Sequence, residues 1–192
     1  MNQKGRIHQY EVWAQLLLAE HCQKQIADFF VNDLGIHRDH VARRMHLTVY
    51  HARRPMPGLV PALENINVVV PAEETRFMVM APGGENPRKG LDPSKRKVGI
   101  RLHKQCAAMP QVLKLRERLL AHETESVLGS RSPSSNKSNA FGARSFQPHL
   151  TLLYAGSGIG RDLTGPGKAF REAIDSLTFD RFLIEIAERN QT

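Results

Sequence analysis

Two short stretches of the sequence each place a histidine and a threonine two residues apart in an apolar, β-prone run. They are His46-Leu47-Thr48 and His149-Leu150-Thr151. Side chains alternate between the two faces of an extended strand, so each imidazole shares a face with its hydroxyl while the leucine points the other way. Two such strands facing each other would combine two proton-transfer groups with two neutral hydrogen-bond donors.

This set of groups suits a hydrolysis. Such a reaction takes a proton from water and gives one to the leaving group, and imidazole can do either because it titrates near neutrality. A charged imidazole and the threonine hydroxyls would also offset negative charge on a bound substrate. Because acid, base and donors are all present, we expect a site that works without a metal or another cofactor.

The composition favours an anionic partner. The chain has 192 residues and a formal net charge of +8, and we expect nucleic acid or nucleotides ahead of a membrane surface. No apolar run approaches the ~18 residues of a membrane span, and no signal-like stretch follows the N-terminus, so a cytoplasmic location is expected. Cys22 and Cys106 do not make a disulfide framework, and their pairing stays open. No protein partner is indicated.

The hydrophobic pattern predicts one α+β domain over residues 1–192. Helix-like spacing predicts a helix within 10–31, a second helix from about Pro110 and a third capped by Thr164. About six strands are predicted: the two motif strands, 66–70, 76–80, 98–103 and 179–187. The strands at 66–70 and 76–80 are interpreted as a hairpin.

The segment 129–145 is rich in serine and carries basic residues but no acidic one. One interpretation is a flexible linker. The other is a mobile cationic flap over an anion site, because the segment leads directly into the second motif strand and long loops are often lids.

The paired His-x-Thr strands resemble those of the 2H phosphoesterase superfamily, which includes the 2′-5′ RNA ligase-like proteins and the 2′,3′-cyclic phosphodiesterases. The resemblance implies a two-lobed α+β fold, with antiparallel sheets and flanking helices around a central cleft to which each lobe donates one motif. It also implies that His46 is the general acid and His149 the general base. Thr48 and Thr151 would hold the non-bridging phosphoryl oxygens.

The expected activity is metal-independent hydrolysis of a phosphodiester in RNA ends or nucleotides, most directly the opening of a 2′,3′-cyclic phosphate. Alternatives are hydrolysis of a 2′-5′ linkage or a cyclic oligonucleotide, and a nucleotide- or RNA-binding module without turnover. The substrate-binding candidates are aromatic and basic residues placed near the motifs or beside a histidine: Tyr50, Arg53, Arg101, Arg144 and Tyr154.

A cluster of histidines in the first half of the chain raises the alternative of a zinc site. Its members are His37, His40, His46 and His51. Two of them fall in a predicted loop, and we predict no metal site from this pattern.

Overall fold

The computed structural model describes residues 11–52, 55–80, 95–126, 146–160 and 162–187. Within them lies one antiparallel sheet of seven strands with three α-helices, which confirms the α+β class. The strands are β1 Val12–Leu18, β2 His46–Ala52, β3 Ala62–Pro71, β4 Thr75–Met80, β5 Lys97–Leu102, β6 His149–Leu153 and β7 Ser176–Ile186. The helices are α1 Glu20–Asp28, which continues into a π-turn at Phe29–Asp33, α2 Met109–Ser126 and α3 Thr164–Ala173.

The two motif strands are neighbours in the middle of the sheet. The strand order is β3-β7-β1-β2-β6-β5-β4. β2 and β6 pair only at Leu47 and Leu150, and we call this short junction the seam. The ladders on either side of the seam, β1 with β2 and β5 with β6, are longer. The described strands therefore form one sheet with a narrow central seam, where the prediction had separate sheets.

The helices pack on one face of this sheet. A continuous row of paired residues crosses it from β4 to β7: Phe77, Ile100, Leu150, Leu47, Leu16 and Phe182. Residues directly opposite each other in antiparallel strands point to the same face. At one end of the row Phe77 contacts Phe30 and Phe170, and at the other the Arg118 guanidinium of α2 lies 5.1 Å from the Phe182 ring. The row thus marks the helix-facing side.

The predicted helix within 10–31 is wrong in its first part. Residues 12–18 form β1, which lies between β2 and β7, and the helix begins only at Glu20. Six of the seven β1 residues are buried, so the strand shows no polar–apolar alternation. A central strand buried on both faces can mimic the spacing of a buried helix.

The predicted hairpin of 66–70 and 76–80 is also wrong. Both segments are strands, but β3 pairs with β7 and β4 pairs with β5, at opposite edges of the sheet. A 3-10 turn at Ala72–Glu74 separates them, and the Thr75 hydroxyl donates a 2.7 Å hydrogen bond to the Ala72 carbonyl. Apolar alternation identifies a strand without identifying its partner.

Other predicted elements are confirmed with shifted ends. α2 begins at Met109 and the last strand begins at Ser176. Thr164 is the first residue of α3 and not its cap; the Asp162 carboxylate instead accepts a 2.8 Å hydrogen bond from the Thr164 amide. Cys22 and Cys106 are buried free thiols. The predicted loop at 129–145 lies outside the described residues, and within the described ones no helix has the length and apolarity needed to cross a membrane.

Candidate active site

The four motif side chains lie together on the face of the sheet opposite the helices. Leu47 and Leu150 are fully buried on the helix side, so the residues that flank them point the other way. The register set by this pair places His46 across from Thr151 and Thr48 across from His149. Each of the four is half-buried. The structure therefore brings the predicted catalytic residues to one place.

A β-bulge directly follows the threonine in both motif strands. Val49 is the extra residue of β2 against β1, and Leu152 is the extra residue of β6 against β5. A bulge re-aims the side chains that come after it. The two halves of the site thus share a local geometry. Each has a histidine and a threonine on one face, followed by a bulge after which the next paired residue, Tyr50 in β2 and Leu153 in β6, faces the core.

The bulge in β2 removes Tyr50 from the site. Tyr50 pairs with Ala14 on the helix-facing side and is 0% exposed. The prediction that Tyr50 contacts a substrate is therefore contradicted. Strict alternation would have put Tyr50 beside Thr48, and nothing in the sequence pattern marks the extra residue.

Both motif imidazoles are oriented in the same way. His46 Nδ1 lies 3.4 Å from the Arg44 carbonyl oxygen, and His149 Nδ1 lies 3.0 Å from the Gln147 carbonyl oxygen. In each case the carbonyl belongs to the residue two before the histidine. A ring that donates Nδ1–H to this carbonyl has Nε2 as its basic nitrogen, so Nε2 is the atom at which either ring would exchange a proton.

Trp13 of β1 contacts both groups of the first motif. Its ring meets His46 edge-on, with centroids 5.2 Å apart, and its Nε1 donates a 3.4 Å hydrogen bond to the Thr48 hydroxyl oxygen. An indole can only donate, so the Thr48 hydroxyl accepts this bond and is left to donate its own proton elsewhere. Trp13 was missed as a site residue because its segment resembles a helix; a strand assignment would have placed it beside the motif.

The next residue on this face of β1 is the fully buried Gln15. It lies opposite Thr48, is 0% exposed, and donates a 2.7 Å hydrogen bond through Nε2 to the Glu185 carboxylate. This flank of the site therefore carries the Trp13 indole and the Gln15 amide on β1, and the Glu185 carboxylate on the adjacent strand β7.

The other flank of the site is basic. Arg101 of β5, a predicted substrate-binding residue, lies opposite His149, and its guanidinium donates a 3.4 Å hydrogen bond to the Gln147 side chain. Arg76 of β4 lies opposite Arg101 and is exposed. Arg76 was not predicted, because only the pairing of β4 with β5 places it in line with the motif.

Tyr154, another predicted substrate-binding residue, contacts the segment that precedes β2. The Tyr154 hydroxyl accepts a 3.4 Å hydrogen bond from the Arg43 amide, and the Tyr154 amide donates a 2.7 Å hydrogen bond to the His40 carbonyl. Tyr154 thus holds the segment before β2 against the end of β6. Arg53 and Arg144 lie outside the described residues.

A buried charge cluster lies under the site, on the helix side. Arg116 of α2 is 4% exposed, donates a 2.8 Å hydrogen bond to the Val49 carbonyl at the β2 bulge, and has its guanidinium carbon 4.4 Å from the Phe146 ring centroid. Burial lowers the pKa of Arg116, and the electrostatic interactions with Tyr50 and Glu123 oppose that shift. Burial, and then the charge of Glu123, raise the pKa of Tyr50. Arg116 therefore links the first motif strand to the residues that enter the second.

The histidine cluster does not assemble into a metal site in the part of the chain that the structure describes. His37 and His40 have ring centroids 6.5 Å apart, whereas His46 and His51 belong to β2. Among the described residues no group of three or more histidine, cysteine, aspartate or glutamate side chains has the arrangement of metal ligands.

Comparisons with known proteins leave the chain without a family assignment. No protein-family model matches it, and no curated protein is significantly similar to it.

Proposed function

We propose that this chain is a metal-independent phosphodiesterase of the 2H type that opens 2′,3′-cyclic phosphates in RNA ends or nucleotides. The observation that carries the proposal is the placement of both His-x-Thr motifs on one face of two adjacent strands, with Nδ1 of each ring at the carbonyl two residues before it. Such a face presents two basic nitrogens and two hydroxyls to one bound group.

The first described strand, β1, and the paired central strands also fit the resemblance. Members of the superfamily usually begin with a strand, and this chain has one at Val12–Leu18. The two-lobed arrangement around a cleft remains part of the proposal, and the narrow seam between β2 and β6 is where the lobes would meet.

In the proposed reaction, neutral His149 accepts a proton at Nε2 from a water molecule, whose oxygen attacks the phosphorus. The bond from phosphorus to one ribose oxygen breaks, and charged His46 gives its Nε2 proton to that leaving oxygen. Thr48 and Thr151 donate to the non-bridging oxygens, where negative charge increases in the transition state. The roles of the two histidines follow the superfamily. The site supplies acid, base and donors from its own side chains.

The test is turnover of a substrate panel by the intact chain. The panel contains nucleoside 2′,3′-cyclic phosphates and short oligoribonucleotides that end in a 2′,3′-cyclic phosphate. In each, the cyclic phosphate should be opened to a 2′- or 3′-phosphomonoester. A chelator should leave the rate unchanged, since the proposed mechanism assigns no step to a metal. Abolition by chelator with recovery on adding zinc or manganese would overturn metal independence.

The same panel separates the alternatives. Turnover of 2′-5′-linked or cyclic oligonucleotides in preference to cyclic phosphate ends would assign a different phosphodiester. Binding of these ligands without any turnover would show a nucleotide- or RNA-binding module and would overturn the proposal.

A further inference from the structure

A row of basic side chains leads from His149 to the edge of the sheet. Arg101 pairs with His149, and Arg76 on the next strand pairs with Arg101. Directly opposite residues of antiparallel strands point to the same face, so both guanidinium groups belong to the face that carries the motifs. Arg101 is half-buried and Arg76 is exposed.

Neither arginine of this row is neutralised within the described residues. The other positions on this face of β4, β5 and β6 carry no carboxylate: Met78, Met80, Lys97, Gly99 and Thr151. None of the ion pairs formed between described side chains includes Arg76 or Arg101. Like charges directly opposite each other destabilise a sheet, and a bound anion would offset that repulsion.

The flank across the seam has a different charge pattern. Arg181 of β7 pairs with Leu17, which pairs with His46, so Arg181 stands two strands from its motif histidine just as Arg76 does. Its guanidinium, however, lies 3.3 Å from the Asp180 carboxylate, and Glu185 lies on the same face. A ligand with an extra negative group is therefore favoured on the Arg76 side and disfavoured on the Arg181 side.

The distance between neighbouring strands indicates which chemical group of a ligand Arg76 and Arg101 would bind. Neighbouring strands are about 4.8 Å apart, so the backbone of Arg101 is about 5 Å and that of Arg76 about 10 Å from that of His149. The reacting phosphate already faces two imidazoles and two hydroxyls. Arg76 lies two strands from His149, a distance that suits a phosphate other than the reacting one. A planar guanidinium matches the geometry of phosphate oxygens well.

Resting on the function proposed above, we infer that Arg76 and Arg101 form a subsite for a second phosphate of the same ligand. A 2′,3′-cyclic phosphate ends a chain, so the second phosphate lies on its 5′ side. It is either the next phosphodiester of an oligoribonucleotide or a 5′-phosphate on a single nucleotide.

Three substrates distinguish these sources: a nucleoside 2′,3′-cyclic phosphate, the same nucleotide with a 5′-phosphate, and a dinucleotide ending in a cyclic phosphate. The intact chain should prefer at least one of the two-phosphate substrates by about tenfold in kcat/KM, the effect of one charge-assisted hydrogen bond. Arg76→Gln should remove most of this preference. The matched control Arg181→Gln should retain it.

Salt dependence provides a second readout. The extra phosphate should add about −0.7 to the slope of log affinity against log salt, and Arg76→Gln should remove that increment. Absence of any preference in the unaltered chain, or equal loss in Arg181→Gln, would overturn the subsite.

The two proposals fail in different ways. If none of the three substrates is turned over, the proposed function fails, and the subsite is then tested by the Kd of a nucleoside 3′-phosphate against that of a 3′-phosphorylated dinucleotide. A preference for the dinucleotide that Arg76→Gln removes and Arg181→Gln retains would support the subsite alone. Turnover without any preference would retain the function and refute the subsite.

Discussion

Replacing Arg116 by methionine tests the buried cluster that links the two motif strands. The substitution removes a 2.8 Å hydrogen bond to the Val49 carbonyl, a contact with the Phe146 ring and the positive charge near Glu123. Methionine is apolar and flexible, so it fills the site without introducing a new charge.

The expected loss of stability follows from these contacts. A hydrogen bond that involves a charged group contributes about 1.5–3 kcal/mol, and a desolvated cation–π contact about 2 kcal/mol. Glu123, which is 7% exposed, would lose its interaction with the Arg116 charge. The hydrogen bond and the cation–π contact together come to about 3.5–5 kcal/mol, and we expect Arg116→Met to lose about that much in urea-induced unfolding.

The double variant Arg116→Met/Glu123→Leu is the informative comparison. Each single variant loses the interaction between these two charges, so the double variant, which loses it only once, should lose less stability than the sum of the two single variants, by about 1–3 kcal/mol. Turnover should be lowered in Arg116→Met and in the double variant alike, because both lack the hydrogen bond from α2 to the Val49 carbonyl. Additive losses, or a loss below about 1 kcal/mol for Arg116→Met, would refute the assigned coupling.

Three further substitutions test other parts of the account. Trp13→Phe keeps a ring beside His46 but loses the N–H that orients the Thr48 hydroxyl, so kcat/KM should fall about 3- to 10-fold; an unchanged value would exclude that role. Gly99→Ala places a Cβ against the backbone carbonyl oxygen of Leu150 in β6, and denaturant unfolding should show a loss of about 1–3 kcal/mol; a neutral change would contradict the pairing of β5 with β6. The hydrogen bond from the Ala107 amide lowers the pKa of Glu74 below its usual 4.5, so ionised Glu74 stabilises the fold fully above pH 4.5, and this stabilisation is lost as the pH falls through the folded-state pKa. The stability of Glu74→Gln should therefore fall less steeply than that of the unaltered chain below about pH 5. Identical profiles of stability against pH for the two proteins would contradict this role of Glu74.

The sequence identified the catalytic candidates because their spacing is local. A histidine and a threonine two residues apart share a strand face whatever the rest of the fold does. Apolar periodicity also located α2 and most strands, since their buried faces alternate with polar ones. His46, Thr48, His149 and Thr151 all depend on this local rule.

The residues that sequence reasoning misplaced or missed depend on long-range pairing. Trp13 lies in a central strand that is apolar on both faces, so its segment mimics a helix. Tyr50 is turned to the core by one extra residue in β2, which leaves no sequence signal. Arg76 joins the site only through its ladder partner Arg101. Such features follow from register and sheet order, which local sequence patterns do not reveal.

The central claim is that His46 and His149 act as one acid–base pair, and the most direct measurement is the cyclic-phosphate hydrolysis rate of His46→Ala, His149→Ala and the double variant. Circular dichroism would establish that each variant is folded. Each single variant should lose about 10²-fold or more in rate, and the double variant should lose far less than the product of the two losses, because the rings serve the same transition state. A rate unchanged in His149→Ala would contradict the account.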